Sequence, residues 1–152
     1  MAKKEEYGVE AIRVLKGLEP VKQRPGMYTL TDNPLHIIQE VIDNASDEVL
    51  AGYGKRISVE VAADGSVTVE DDGRGIPTGM HPEEHAPVLE IVFTRLHAGG
   101  KFDNDSYGFS GGLHGVGASV VNALSEYVEV EIYTGGRAYY QKFRSYVDQQ
   151  GK

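Results

Sequence analysis

His36, Glu40 and Asn44 recur at every fourth position, and Glu48 continues the row. On a helix these four side chains lie along one side. A carboxylate in the middle of such a row can take a proton from an attacking water. A histidine one turn before it can orient it or tune its basicity. An amide oxygen one turn after it is a hard ligand for magnesium, a cation that also holds phosphate oxygens and waters. The plain alternative is a solvated polar face, which most surface helices have. Asn44 argues against that, because a mid-helix amide is a weak helix former and usually needs a reason.

The second group is Asp71-Asp72-Gly73-Arg74-Gly75. Alternation along the preceding residues puts Val67, Val69 and Asp71 on one face, so Asp71 is expected to point inward. A carboxylate facing a core is costly unless hydrogen-bonded or paired. It either caps the turn that follows or accepts a hydrogen bond from a buried amino group such as that of adenine. Gly73 and Gly75 carry no Cβ and let the backbone approach a flat ring. Arg74 is within reach of Glu48, which would tie the turn to the helix.

The third group is Ser110-Gly111-Gly112-Leu113-His114-Gly115-Val116-Gly117 at the start of an apolar helical segment. Backbone N–H groups at a glycine-rich helix N-terminus form an anion site; the alternative is a flexible linker. The loop is not a Walker A motif, because Phe102 follows Gly100-Lys101 and Arg95 stands where the first glycine belongs. The G-x-x-G-x-G spacing and the lack of a parallel βαβ unit exclude the dinucleotide fingerprint.

These groups need elements to position them. Residues 7–17 read as a short amphipathic piece, followed by a turn at Arg24-Pro25-Gly26. Asn33 as N-cap, Pro34 at the first helical position and Gly52 past the end bracket the acidic helix. Its apolar stripe is Leu35, Ile38, Ile42, Ala45 and Val49, and its polar face carries His36, Glu40, Asp43, Asn44, Asp47 and Glu48. Strands over 56–62 and 66–71 join at Asp64-Gly65. A helix over 88–98 ends at Gly99-Gly100, and the loop 101–117 leads into a helix over 116–125. A hairpin over 127–144 turns at Thr134-Gly135-Gly136. Helices on one face of a mixed, mostly antiparallel sheet make an α+β two-layer sandwich.

Composition narrows the class. The 152 residues suffice for one domain, and 40% hydrophobic with 25% charged residues is ordinary for a soluble chain. No apolar run is long enough to span a membrane, and the N-terminus lacks the apolar stretch of a signal peptide. The absence of cysteine excludes disulfides and thiolate metal sites and suits a cytoplasmic location. A net charge of -8 disfavours nonspecific binding to DNA or anionic membrane by this piece itself. Seven of the nineteen glycines fall between Gly99 and Gly117.

In order and residue type the three groups resemble the ATP site of the GHKL (Bergerat) fold. That fold is shared by type II topoisomerases, MutL, the ninety-kilodalton chaperone and histidine kinases. Within it, four stretches look like the ATPase subunits of the bacterial type IIA topoisomerases, gyrase B and ParE of topoisomerase IV. They are Gln39-Glu40-Val41-Ile42-Asp43-Asn44, Asp71-Asp72-Gly73-Arg74-Gly75-Ile76-Pro77, Leu96-His97-Ala98-Gly99-Gly100-Lys101-Phe102, and Gly111 to Gly117 running into Val120-Val121-Asn122-Ala123-Leu124. Arg24-Pro25-Gly26-Met27-Tyr28-Thr29 and the Gln39 to Asn44 stretch lean toward ParE, and Ile76-Pro77-Thr78-Gly79 toward gyrase.

The resemblance implies ATP and Mg2+ as ligands. Glu40 is then the general base supported by His36, and Asn44 the protein ligand of magnesium. Asp71 binds the adenine amino group, with Gly75 against the base and Glu48, Arg74, Ile76 and Pro77 completing that end. Gly112, Leu113, His114, Gly115, Val116, Gly117 and Ala118 wrap the phosphates, and Lys101 is a further phosphate contact. Tyr7 is the arm residue that reaches the nucleotide of the other protomer in an ATP-bound self-dimer. By the same resemblance, ParC or gyrase A completes a heterotetramer, and DNA is held by other domains.

Two departures from the pattern matter. Thr134 stands where the family has an arginine at the pocket rim, with Arg137 across the turn, so rim-binding ATP-site inhibitors are expected to bind less well. The family's transducer lysine has no counterpart before Lys152; on this reading the chain is a piece that binds ATP and barely hydrolyses it. The rival from another class is a nucleotide-gated interaction module, as in the chaperone or in mismatch repair. The Leu96 to Phe102 stretch favours the topoisomerases.

Overall fold

In the computed structural model, residues 16–29, 33–96 and 117–146 are described. Tyr7, Lys101 and Gly112 to Val116 lie outside them. The elements are α1 (Glu19–Gln23), a 3-10 turn (Pro25–Met27), α2 (Leu35–Leu50), β1 (Ile57–Val61), β2 (Val67–Asp71), α3 (Val88–Thr94), α4 (Gly117–Leu124), β3 (Tyr127–Thr134) and β4 (Arg137–Arg144). Helices and antiparallel strands together make an α+β fold. Among the described residues the strands form two separate two-stranded antiparallel ladders, not one mixed sheet.

Helix α2 starts one residue later than the sequence predicts, yet Asn33 still serves its end. The Asn33 side chain accepts the Leu35 N–H at 3.1 Å, and its carbonyl accepts the His36 N–H. At the other end the Gly52 N–H donates to Val49 O and the Tyr53 N–H to Glu48 O. This pair of bonds is a Schellman closure, and it requires a left-handed residue at Gly52, whose φ is +89°. The predicted apolar stripe holds at Ala45, which is buried, but Leu35 is 67% exposed. On the supposed polar face, Glu48 is buried.

Helix α4 is the hub, packing against α1, α2 and α3, while α2 also lies on β2. It is short and almost wholly buried from Ser119 to Ala123. One apolar cluster joins Val88, Leu89, Val92 and Phe93 of α3 to Ile132 of β3, with Ile76 and Ala118 against it. Phe93 stacks on Phe143 with ring centroids 5.4 Å apart. A second cluster joins Val21 of α1 to Val120 and Ala123 of α4. α3 ends at Thr94, short of the predicted residue 98. There Asn122 donates its side-chain N–H to the Phe93 carbonyl at 2.8 Å, satisfying a backbone acceptor that the helix leaves open.

β1 and β2 pair from Ile57↔Asp71 to Val61↔Val67. Their turn is held by Asp64, whose carboxylate accepts both the N–H and the hydroxyl of Ser66. β3 and β4 pair from Tyr127↔Arg144 to Thr134↔Arg137, closing at Gly135-Gly136. Thr134 and Arg137 are therefore cross-strand neighbours beside the turn, and both are exposed.

Candidate nucleotide site

Two helices converge where the sequence places its acid–base residues. Gly117 opens α4, and a Cβ built there would lie 2.8 Å from Glu40 Oε2 and 3.7 Å from the Asn44 amide nitrogen. The Glu40 carboxylate and Asn44 amide thus sit against the backbone at the N-terminal end of α4, where N–H groups have no helical partners. A side chain at Gly117 would push the Glu40 carboxylate aside. Asn44 is exposed and Glu40 partly so, which leaves both available to a ligand between the helices.

His36 occupies the N-terminal end of the same row. Its Nδ1 lies 2.6 Å from Thr29 Oγ1, a part-buried hydrogen bond. Thr29 is itself fixed, because its N–H donates to the Pro25 carbonyl at 3.0 Å at the end of the 3-10 turn. Nothing in the residue spacing marks Thr29 as part of the site.

The floor is the turn after β2. Asp71 shares the face of Val67 and Val69, but it is exposed, contrary to the inward placement expected from alternation. It is the last residue of β2, and the alternation runs on past the apolar layer. Its Oδ1 accepts the Gly73 N–H at 2.9 Å, so it does cap the turn. A carboxylate has two oxygens, and this bond leaves acceptor capacity facing outward.

Asp72 does a different job. Its Oδ1 accepts the N–H groups of Lys55 and Arg56 at 2.7 and 2.9 Å, pinning the turn to the start of β1. Those two bonds hold its carboxyl below the usual value of 3.8.

Arg74 joins floor to helix, as its reach toward Glu48 predicts. Its Nε donates to Glu48 Oε1 at 2.7 Å, with the Glu48 side chain 10% exposed. Its guanidinium carbon lies 3.4 Å from the centroid of the Tyr53 ring. The Schellman closure makes this double grip possible, because it brings Tyr53 back beside Glu48.

Gly73 fits beneath: a Cβ there would stand 2.1 Å from Glu48 Cγ and 2.8 Å from Asp71 Oδ1. Gly75 has a φ of +75°, and a Cβ would meet Ile132 Cγ2 at 2.8 Å. Its lack of a side chain therefore serves packing as well as any close approach to a ring. Ile76 and Ala118 pack on the apolar cluster, and Pro77 is exposed. Neither the fit of Gly73 under Glu48 nor the stacking of Tyr53 has a signal in the residue pattern. The Leu96 to Phe102 stretch lies outside the described residues except for Leu96, which packs on the α1–α4 cluster.

The chain is similar in sequence and fold to known proteins. A model of the histidine kinase-, DNA gyrase B- and HSP90-like ATPases matches residues 30–149. The chain is 60% identical over 133 residues to the B subunit of DNA topoisomerase 4 from Escherichia coli, covering 88% of this chain and 21% of that protein. It is 58% identical over 142 residues to the B subunit of DNA gyrase from Thermotoga maritima, covering 91% of this chain and 22% of that one. It thus spans about a fifth of the length of these relatives. The topoisomerase IV ATP binding domain of Francisella tularensis, solved with a small molecule inhibitor, superposes with a TM-score of 0.71. That pair shares 48% identity over 86% of this chain and 60% of the solved one. The chain belongs to the histidine kinase-, DNA gyrase B- and HSP90-like ATPases, and its α+β sandwich is of the GHKL type.

Proposed function

We propose that this chain binds Mg-ATP and that the intact protein hydrolyses it to drive DNA strand passage as the ATPase subunit of a bacterial type IIA topoisomerase. The observation that carries this reading is the meeting of Glu40 and Asn44 with Gly117 at the start of α4. A general base, a hard oxygen ligand and a helix N-terminus able to hold phosphate come together there. Asp71 supplies an outward acceptor for the adenine amino group, with Gly75 beside it. Arg74, Glu48, Ile76 and Pro77 form the surrounding wall.

Asn44 fits a cation that takes one protein ligand and fills its remaining positions with phosphate oxygens and waters, the usual habit of magnesium. Among the described residues there is no cluster of three or more acidic or histidine side chains that could hold a metal alone. When bound, the cation neutralises charge on the phosphates. Glu40 removes a proton from the attacking water, and His36 orients Glu40. The stretch from Gly112 to Ala118, with Lys101, closes over the phosphates, and Tyr7 reaches the nucleotide of a second copy.

The similarity to the B subunits of topoisomerase IV and of gyrase supports assembly with an A-type partner, ParC or gyrase A, and a cytoplasmic setting. No helix among the described residues is long and apolar enough to cross a membrane. Decatenation against ATP-dependent supercoiling by the intact assembly separates topoisomerase IV from gyrase, and ATPase stimulation by DNA separates both from a chaperone-like module.

The direct test is calorimetry with a non-hydrolysable ATP analogue on the chain and on Asp71→Asn. The substitution replaces a charged acceptor by an amide of mixed polarity, a change of roughly 1.5–3 kcal/mol, or about 10- to 100-fold in affinity. Unchanged affinity in a folded variant removes Asp71 from the site.

A further inference from the structure

We infer that Thr29 is a positioning residue for His36, fixing which ring nitrogen carries the proton and so how the ring serves Glu40. The inference rests on the reading of Glu40 as general base. It gives a role to the Arg24-Pro25-Gly26-Met27-Tyr28-Thr29 stretch, which makes none of the proposed ligand contacts.

The backbone fixes the threonine first. Pro25 opens a 3-10 turn, and the N–H groups of Tyr28 and Thr29 both donate to its carbonyl, at 2.9 and 3.0 Å. That pair of bonds sets the position of Thr29 before α2 begins. Side chains on a helix lean toward its N-terminus, so His36, in the first turn of α2, leans back toward Thr29. Their contact is short and part-buried, Oγ1 to Nδ1 at 2.6 Å. Glu40 stands one turn on, on the same side of α2 as His36.

A neutral imidazole has one N–H and one acceptor nitrogen. The carboxylate of Glu40 only accepts, so an N–H on Nε2 suits it and a bare Nε2 repels it. Nδ1 is then the acceptor, and the Thr29 hydroxyl donates to it. The threonine acts on Glu40 through the ring and touches no reacting atom. Fixing a histidine's tautomer by a bond to its other nitrogen is a general device for orienting the ring.

The test uses Thr29→Val, which keeps the shape and removes the hydroxyl, and Thr29→Ser, which restores it. Two readouts are taken: the ring nitrogen chemical shifts of His36 in the 15N-labelled chain, and steady-state ATP turnover of the intact protein. The wild type and Thr29→Ser should show the Nε2–H form with Nδ1 hydrogen-bonded. Thr29→Val should lose that signature and lower kcat about tenfold with KM little changed, since small misplacements of positioned groups cost up to about 10²-fold. A wild-type His36 protonated on Nδ1 overturns the inference, as does a Thr29→Val protein unchanged in either readout. Glu40→Gln runs beside them. Turnover surviving in Glu40→Gln sinks the base assignment itself, whereas its loss alongside a wild-type-like Thr29→Val sinks only the role of Thr29.

Discussion

The two halves of α2 carry a carboxylate each on one side of the helix, yet their surroundings are built differently. In the C-terminal half, Glu48 is buried, bonded to Arg74 and packed against Gly73, and Tyr53 closes the arrangement from beyond the helix end. Nearer the N-terminus, Glu40 and, one turn on, Asn44 rest beside the bare backbone of Gly117 and keep solvent access. One half commits its polar groups to holding the fold, and the other holds them ready for something else. Identical chemistry in the sequence, a carboxylate every second turn, thus has two uses that only the surroundings distinguish.

The difference between the halves should be largest at Glu40. Glu40→Gln is expected to leave the melting temperature and nucleotide affinity nearly unchanged while cutting turnover of the intact protein about 10²- to 10⁴-fold, the usual range for a general base. Paired calorimetry and phosphate-release assays check this. A variant that loses binding but keeps its rate per bound complex would assign Glu40 to the wrong half.

Gly73→Ala probes the other half. The added Cβ overlaps Glu48 Cγ, and Glu48 is held by Arg74, so the strain has no cheap release. Overpacking of this kind costs about 1–3 kcal/mol. Chemical denaturation should read that loss, and a fully stable Gly73→Ala would mean that Glu48 moves freely.

The outline of the molecule was legible in the sequence, and the reasons are local. The Asp64-Gly65 and Gly135-Gly136 turns and the Asn33 and Gly52 helix boundaries are written in residues whose backbone or side-chain chemistry admits few alternatives. The row from His36 to Asn44 was legible because helical spacing converts directly into a shared side. Three features were not. Asp71 continues the strand's alternation, but no pattern within the strand says where the apolar layer stops. Arg74, 26 positions later, was legible as a partner for Glu48, but the burial of Glu48 against Gly73 was not, because it reads as one more residue of a polar face. Thr29 lies before α2, so the helical period that lines up His36 with Glu40 says nothing of its contact with His36. Contacts between distant residues decide each of these, and single-sequence patterns carry only near ones.

A smaller effect belongs to the ion pair of the C-terminal half. Arg74→Ala and Glu48→Ala should be non-additive, with a coupling of about 0.5–1 kcal/mol appropriate to an ion pair whose arginine is partly exposed. Urea unfolding of the two single variants and the double variant gives the cycle. Zero coupling would mean that burial of Glu48 depends on Tyr53 and Gly73 alone.

The smallest expected effect lies in the acid limb of stability, and it separates the two adjacent aspartates of the floor. The Asp72 carboxylate accepts the N–H groups of Lys55 and Arg56, which favour its charged form and lower its pKa in the folded chain below 3.8. A group whose pKa is lowered by folding stabilises the fold when ionised. Its contribution is therefore complete above the unfolded value and is lost as pH falls through the folded one. Asp72→Asn should be less stable than the parent near neutral pH, by an amount constant down to about pH 5. Below about pH 4 the two melting temperatures should converge, because the parent's carboxylate is then also being neutralised. Asp71 accepts one backbone N–H, from Gly73, and has outward capacity left. Asp71→Asn is accordingly expected to alter ligand affinity far more than this acid limb. Melting curves from about pH 3 to 7 on both variants test the division. Convergence at low pH for Asp71→Asn, with none for Asp72→Asn, would reverse the roles assigned to the two carboxylates.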